Sequence, residues 1–206
     1  MSWLDDLWAV ERNDPAARNV VETLLCHTPL HAIWIHRVAH WLHATLGVPV
    51  LPRFLSVLAR AWTGIEIHPG ARIGRGFFID HGTGTVIGET AEIGDHCTLF
   101  HNVTLGGTGK QDGKRHPTLE DHVYVGTGAV LLGPIRVGRN ARIGANSFVM
   151  MRDVPADCTA VGNPARIVKQ DGQRVERELP PTLLPERSIP RVESPPVGAL
   201  PARPDR

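Results

Sequence analysis

Aromatic residues make up only 5% of this 206-residue chain, with a single tyrosine. A core of stacked rings is therefore excluded, and small or branched aliphatic side chains must fill the interior. Cysteine is equally sparse. Cys26, Cys97 and Cys158 are odd in number and far apart, which excludes a disulfide framework and a paired-cysteine zinc site. No run of 18 apolar residues occurs, so no membrane-spanning helix is expected. The opening segment MSWLDDLWAVERND is acidic and lacks the basic stretch and apolar run of a signal peptide, so a cytoplasmic chain is expected. Charge of one sign is missing too: 22 basic residues face 21 acidic ones, which gives no electrostatic case for nucleic acid or a membrane surface. At 42% hydrophobic, the chain can still bury one substantial core.

What it has instead is a repeat. From Ile67 an aliphatic residue returns every sixth position: IHPGAR, IGRGFF, IDHGTG, then, after Thr85-Val86, IGETAE, IGDHCT, LFHNVT and LGGTGK. The period resumes after an interruption with LEDHVY, VGTGAV, LLGPIR, VGRNAR, IGANSF, VMMRDV, PADCTA and VGNPAR. The second position is often Gly. The fifth is often small or β-branched, as at Ala71, Thr83, Ala91, Cys97, Val103, Val123 and Ala129. A six-residue period is too short for a helical hairpin and too regular for a sandwich, and it predicts a parallel β-helix. Each hexad would be one short strand and a corner, three hexads one triangular coil, and fifteen hexads about five coils. The aliphatic first residues should stack inward, and Gly in second position should permit the corner backbone.

Residues 1–64 have a helical pattern. Asp14-Pro15 and Thr28-Pro29 both look like an N-cap followed by Pro at the first helical position. A helix through LHAIWIHRVAHWLHATL should stop near Gly47, and another from about Pro52 to Trp62 should stop at Gly64. Residues 65–168 carry the repeat, broken by a polar loop at 108–117, and residues 169–206 read as a Pro-rich disordered tail. The fold class is thus α+β: a helical N-terminal domain, a β-helix and a tail.

The ordered set IDHGTG, VIGET, TLGGTGK and RHP, with the run GIEIHPGARIGRGFF before it, resembles the serine acetyltransferase family over roughly residues 14–168. The resemblance implies a left-handed β-helix, assembly into a homotrimer or a dimer of trimers, and transfer of acetyl from acetyl-CoA to the L-serine hydroxyl in cysteine biosynthesis. It also implies roles for individual residues. His81 would be the general base, since neutral imidazole can take the hydroxyl proton during attack on the thioester. Glu66 stands where family members often carry an Asp that orients this histidine. Asp14 and Asp80 would receive the serine ammonium group, and Arg115 and His116 its carboxylate. Gly106, Gly107, Thr127, Arg142 and Ala145 fall at positions lining the acetyl-CoA groove. No metal is called for. L-cysteine, isosteric with serine, would be a feedback inhibitor. Many members end in Ile, which docks into O-acetylserine sulfhydrylase; this chain ends PARPDR, so that partner is not expected.

Other patterns take plainer readings. GGTGK is not a nucleotide P-loop, because Gln111 replaces the required hydroxyl residue. His36, His40 and His43 read as a packing stripe on a helix rather than metal ligands. His96, His101 and His122 resemble the zinc histidines of γ-class carbonic anhydrases, but the serine-type motifs explain the sequence better. The alternatives are a hexapeptide acetyltransferase of another small acceptor and a non-catalytic scaffold. Hexad phase makes one further claim: His81 and His101 occupy the same corner one coil apart, about 4.8 Å between Cα atoms.

Overall fold

The computed structural model describes residues 3–109 and 112–183. Four helices come first: α1 (Trp3–Asn13), α2 (Val20–Cys26), α3 (Thr28–Ala44) and α4 (Leu51–Thr63). Gly64 closes α4 in the left-handed conformation, with its N–H bonded to the Arg60 carbonyl. The expected caps need correction. Asn19, not Asp14, caps α2 by accepting the Glu22 N–H, and the Asp14 side chain instead closes a tight turn by accepting the Ala16 N–H at 2.8 Å. For α3 the cap is His27, whose Nδ1 accepts the Leu30 N–H at 3.2 Å. A short carboxylate serves a turn as readily as a cap, so sequence alone does not separate the two.

The repeat folds into a parallel β-solenoid of about five turns, with three sheets of five, four and seven strands. The first sheet stacks 66–67, 86–87, 104–106, 130–132 and 148–150; the second stacks 72–73, 92–93, 118–119 and 136–137; the third begins 78–79, 98–99, 124–125 and 142–143. Ile79, Ile87, Leu99, Leu105, Leu131, Val137 and Ile143 are all fully buried, so the first position of each hexad forms the core. Thr85 rather than Thr83 fills the inward fifth place, because the DHGTG corner is two residues longer than its counterparts. The glycines in second position serve a different purpose from the one expected. Apart from Gly162 (φ 105°), their φ values are ordinary, but a Cβ on Gly138 would lie 2.4 Å from Ala156 of the next coil. The left-handed corner residue is the fourth: Gly76, His96, Asn102, His122, Gly128, Asn140 and Asn146.

The third sheet ends differently from the expected pattern. After Cys158–Gly162 the chain turns back through Asn163 and Pro164, so VGNPAR is a reversal and not a rung. Residues 165–170 and 173–178 then form an antiparallel hairpin, and Leu179 is buried at 4% exposure. This corrects the expected tail from residue 169, and the rest of that expectation, residues 184–206, lies outside the described residues. The hairpin escaped detection because QRVERE offers almost no apolar face: only Val175 packs inward.

The helices sit on the first coil. Arg37 donates two hydrogen bonds to the fully buried Asp6 (2.6 and 2.7 Å) and one to each of the Ile73 and Gly74 carbonyls, tying α1, α3 and the solenoid together. The histidine stripe of α3 packs, as read: His36 is buried, His40 donates to the Pro69 carbonyl at 2.8 Å, and His43 meets His68 edge-on.

Candidate active site

Along the corner between the third and first sheets, strand register puts His81, His101, Thr127 and Ala145 in one column. The His81 and His101 rings lie edge to face at 5.7 Å, as hexad phase requires. His81 is held at φ 60° on the long DHGTG corner, and its side chain is 77% exposed. Gly82 makes that corner feasible: it has φ 76°, and a Cβ there would fall 2.4 Å from Ile65 Cδ1. His81 Nε2 stands 3.9 Å from Asp80 Oδ1.

Asp14 faces the same edge from the turn between α1 and α2. It lines a hollow of about 160 Å³ with Thr23, Cys26 and His27. The His27 ring stacks on Phe78, two residues before Asp80, at 6.0 Å. Burial lowers the His27 pKa while the Asp14 and Asp80 carboxylates oppose that shift, so both acids act on one ring. Sequence reasoning did not single out His27; its place after a helix break was the only signal.

Glu66 lies on the first strand of the first sheet, and both its oxygens are engaged by α4: Arg60 at 2.8 Å and Arg53 at 3.1 Å. Among the described residues no hydrogen bond or ion pair joins Glu66 to His81. Within this chain the Glu66 carboxylate is instead engaged by the two guanidinium groups of α4.

Arg115 and His116 stand elsewhere, at the corner between the first and second sheets. Arg115 pairs with Glu89, whose carboxyl is held below its ordinary pKa chiefly by that bond. The Lys114 ammonium donates to the Thr90 carbonyl at 2.7 Å and pairs with Glu92 at 3.6 Å. His116 is buried against Gly88, where a Cβ would lie 2.0 Å from the ring. Burial, then the Arg115 charge, lowers the His116 pKa, with Glu89 opposing. Gly107 adjoins this corner: a Cβ on it would meet the Arg115 carbonyl at 3.3 Å and His116 Nε2 at 3.6 Å. Gly106 pairs with Leu132 in the first sheet, and Arg142 lies on the third sheet with its guanidinium 4.2 Å over the Tyr124 ring.

The single chain thus carries two clusters of candidate residues on two edges. One side of the triangular coil, about six residues long, separates them by roughly 15–20 Å. Among the described residues no group of three metal-binding side chains occurs, and no helix is long and apolar enough to cross a membrane.

Residues 116–150 match the bacterial transferase hexapeptide family (six repeats). A serine acetyltransferase of Synechococcus elongatus is 58% identical over 171 residues, covering 83% of this chain and 69% of that protein. The chain belongs to the serine acetyltransferase family. Members of this family are acyltransferases. Among solved structures, the serine acetyltransferase of Neisseria gonorrhoeae superposes with a TM-score of 0.79 at 42% identity, over 84% of this chain and 65% of that one. The Brucella abortus serine acetyltransferase in complex with coenzyme A gives 0.79 at 42% identity, over 82% and 67%. The Neisseria protein is also known in complex with serine, and another serine acetyltransferase in complex with cysteine.

Proposed function

We propose that this chain is a serine O-acetyltransferase of cysteine biosynthesis, working in the cytoplasm, whose active site forms between neighbouring copies in a homotrimer. The observation that carries the reading is the separation of the two clusters. A serine molecule is far too short to touch Asp80 and Arg115 of one protomer. A ring in which the edge bearing His81 of each copy meets the edge bearing His116 of the next closes the gap and repeats the contact. Exposed apolar side chains on the helices, including Trp8, Leu25, Phe54 and Trp62, supply surface for such assembly, and for a dimer of trimers.

In that junction Asp14 and Asp80 receive the serine ammonium group, while Arg115 and His116 of the neighbouring copy hold the carboxylate. Neutral His81 takes the hydroxyl proton as the serine oxygen bonds to the thioester carbon of acetyl-CoA. The resulting intermediate expels the thiolate, which recovers the proton from His81, giving O-acetylserine and CoA. Thr127 and Ala145, above His81 on later coils, together with Gly106, Gly107 and Arg142, fit a groove for the CoA arm: small or absent side chains along its path and a cation near its end. Glu66 would orient His81 only after exchanging an α4 arginine for the imidazole. Cysteine, with the same charged groups as serine, fits the same shell as an inhibitor.

The test is thiol release from acetyl-CoA with and without L-serine. Release that depends on serine, with O-acetylserine as product, is expected. Turnover with another acceptor and not with serine would reject the reading, and no turnover at all would leave a scaffold.

A further inference from the structure

His116 is buried, and its Nδ1 has two neighbours on one residue of the preceding coil: Thr90 N at 3.2 Å and Thr90 Oγ1 at 2.9 Å. A backbone N–H can only donate, so Nδ1 must be an unprotonated acceptor. The Thr90 hydroxyl leads to the same result by a separate route. Its oxygen accepts the backbone N–H groups of Arg115 (2.9 Å) and His116 (3.1 Å), which fill both lone pairs. Its one proton is then directed at Nδ1. The ring proton therefore sits on Nε2, which faces the gap lined by Gly88 and Gly107. The Thr90 carbonyl also accepts the Lys114 ammonium, so this one residue grips three successive residues of the returning loop.

We propose that Thr90 is a positioning residue for acetyl transfer: it locks His116 as a neutral imidazole whose Nε2–H is presented to the carboxylate of the amino-acid substrate. This rests on the assignment of His116 to the substrate shell. An imidazolium would place an Nδ1 proton against two donor hydrogens of Thr90, so protonation breaks the lock. The charged or titratable groups around the ring are Arg115 and Lys114 on the loop, Glu89 on the same coil as Thr90, and His68 one coil before. Burial and the two loop cations act against protonation, and Glu89 alone of the four favours it. His116 should accordingly hold its neutral form to lower pH than a free imidazole, leaving Arg115 as the only charge in the carboxylate clamp at pH 8.

Histidine-selective 15N labelling reads the tautomer directly, with the His116 signals identified by their loss in His116→Gln. The wild-type protein should show the Nε2–H pattern at pH 8 and keep it to lower pH than a free histidine. Thr90→Val keeps the backbone N–H but removes the hydroxyl. It should leave the Nε2–H pattern, which the backbone N–H still enforces, but free the ring and the returning loop and raise KM for serine about tenfold, the usual effect of one lost hydrogen bond. kcat and KM for acetyl-CoA should move far less, and Thr90→Ser should restore the wild-type values. An Nδ1–H pattern at pH 8, or protonation of the wild-type ring at or above the pH of a free histidine, would overturn the proposal, as would an unchanged KM for serine in a folded Thr90→Val. Should that variant not fold, the wild-type spectrum and Thr90→Ser still decide. Failure of the wild-type enzyme to acetylate serine would instead reject the proposed function and leave the tautomer standing.

Discussion

Acid should weaken this fold through one histidine in particular. His36 is 4% exposed, and its Nδ1 has no hydrogen-bond partner among the described residues. Its pKa falls from the usual 6.5 to about 3, mainly through burial, with the nearby His40 and Arg37 adding to the shift. In the unfolded chain the ring takes a proton near pH 6.5, whereas in the folded chain it stays neutral down to about 3. Stability is therefore full above pH 6.5 and drops as pH falls, because the unfolded state binds the extra proton. The slope approaches about 1.4 kcal/mol per pH unit, so at pH 5 the loss from this residue is about 2 kcal/mol. His36→Met fills similar volume without a titrating group. Urea unfolding of both proteins at pH 7.5 and 5.0 isolates the effect, at one fixed concentration because an oligomer's stability depends on it. Between these conditions the wild-type protein should lose about 2 kcal/mol more than the variant. Equal losses would refute the reasoning.

Three further outcomes follow from the site. His81→Asn should lower turnover by roughly 10²–10⁴-fold, the range for a positioned acid–base group, while calorimetry shows acetyl-CoA binding little changed. Arg115→Lys keeps the charge and loses the planar fork, so KM for serine should rise well beyond KM for acetyl-CoA; equal changes would reduce the loop to a lid. Gly88→Ala places a methyl group 2.0 Å from the His116 ring. That ring is held by Thr90 and must be displaced, so steady-state kinetics should again show the loss in KM for serine.

The solenoid was legible because its period repeats one environment: Ile79, Leu99, Val125 and Ile143 all meet the same interior, so a single rule read the core and put His101 beside His81. Where the rule is broken locally, sequence was a poorer guide. The two added residues of the DHGTG corner passed the inward place from Thr83 to Thr85. The second-position glycines answer to the next coil rather than to their own φ, a distance that one hexad cannot reveal. The 173–178 strand has charges on both faces and pairs through its backbone, which leaves no periodic trace. Glu66 was assigned by its place in a motif, but its bonds depend on Arg53 and Arg60 of a helix whose docking angle is a tertiary matter. The motif residues all came from one chain, yet their separation on two edges became visible only in three dimensions.

The central claim is that each active site joins the His81 edge of one copy to the His116 edge of the next, and mixed assembly tests it. Two impaired variants, His81→Ala without the base and His116→Gln with weakened serine binding, are co-expressed in equal amounts and assayed at serine far below the KM of the second. If copies assort at random in a closed ring, about a quarter of the junctions unite an intact His81 with an intact His116. The mixture should then recover about a quarter of wild-type activity, far above either variant alone. A mixture no more active than its parents would contradict the account, because it would place both histidines of each working site in the same chain.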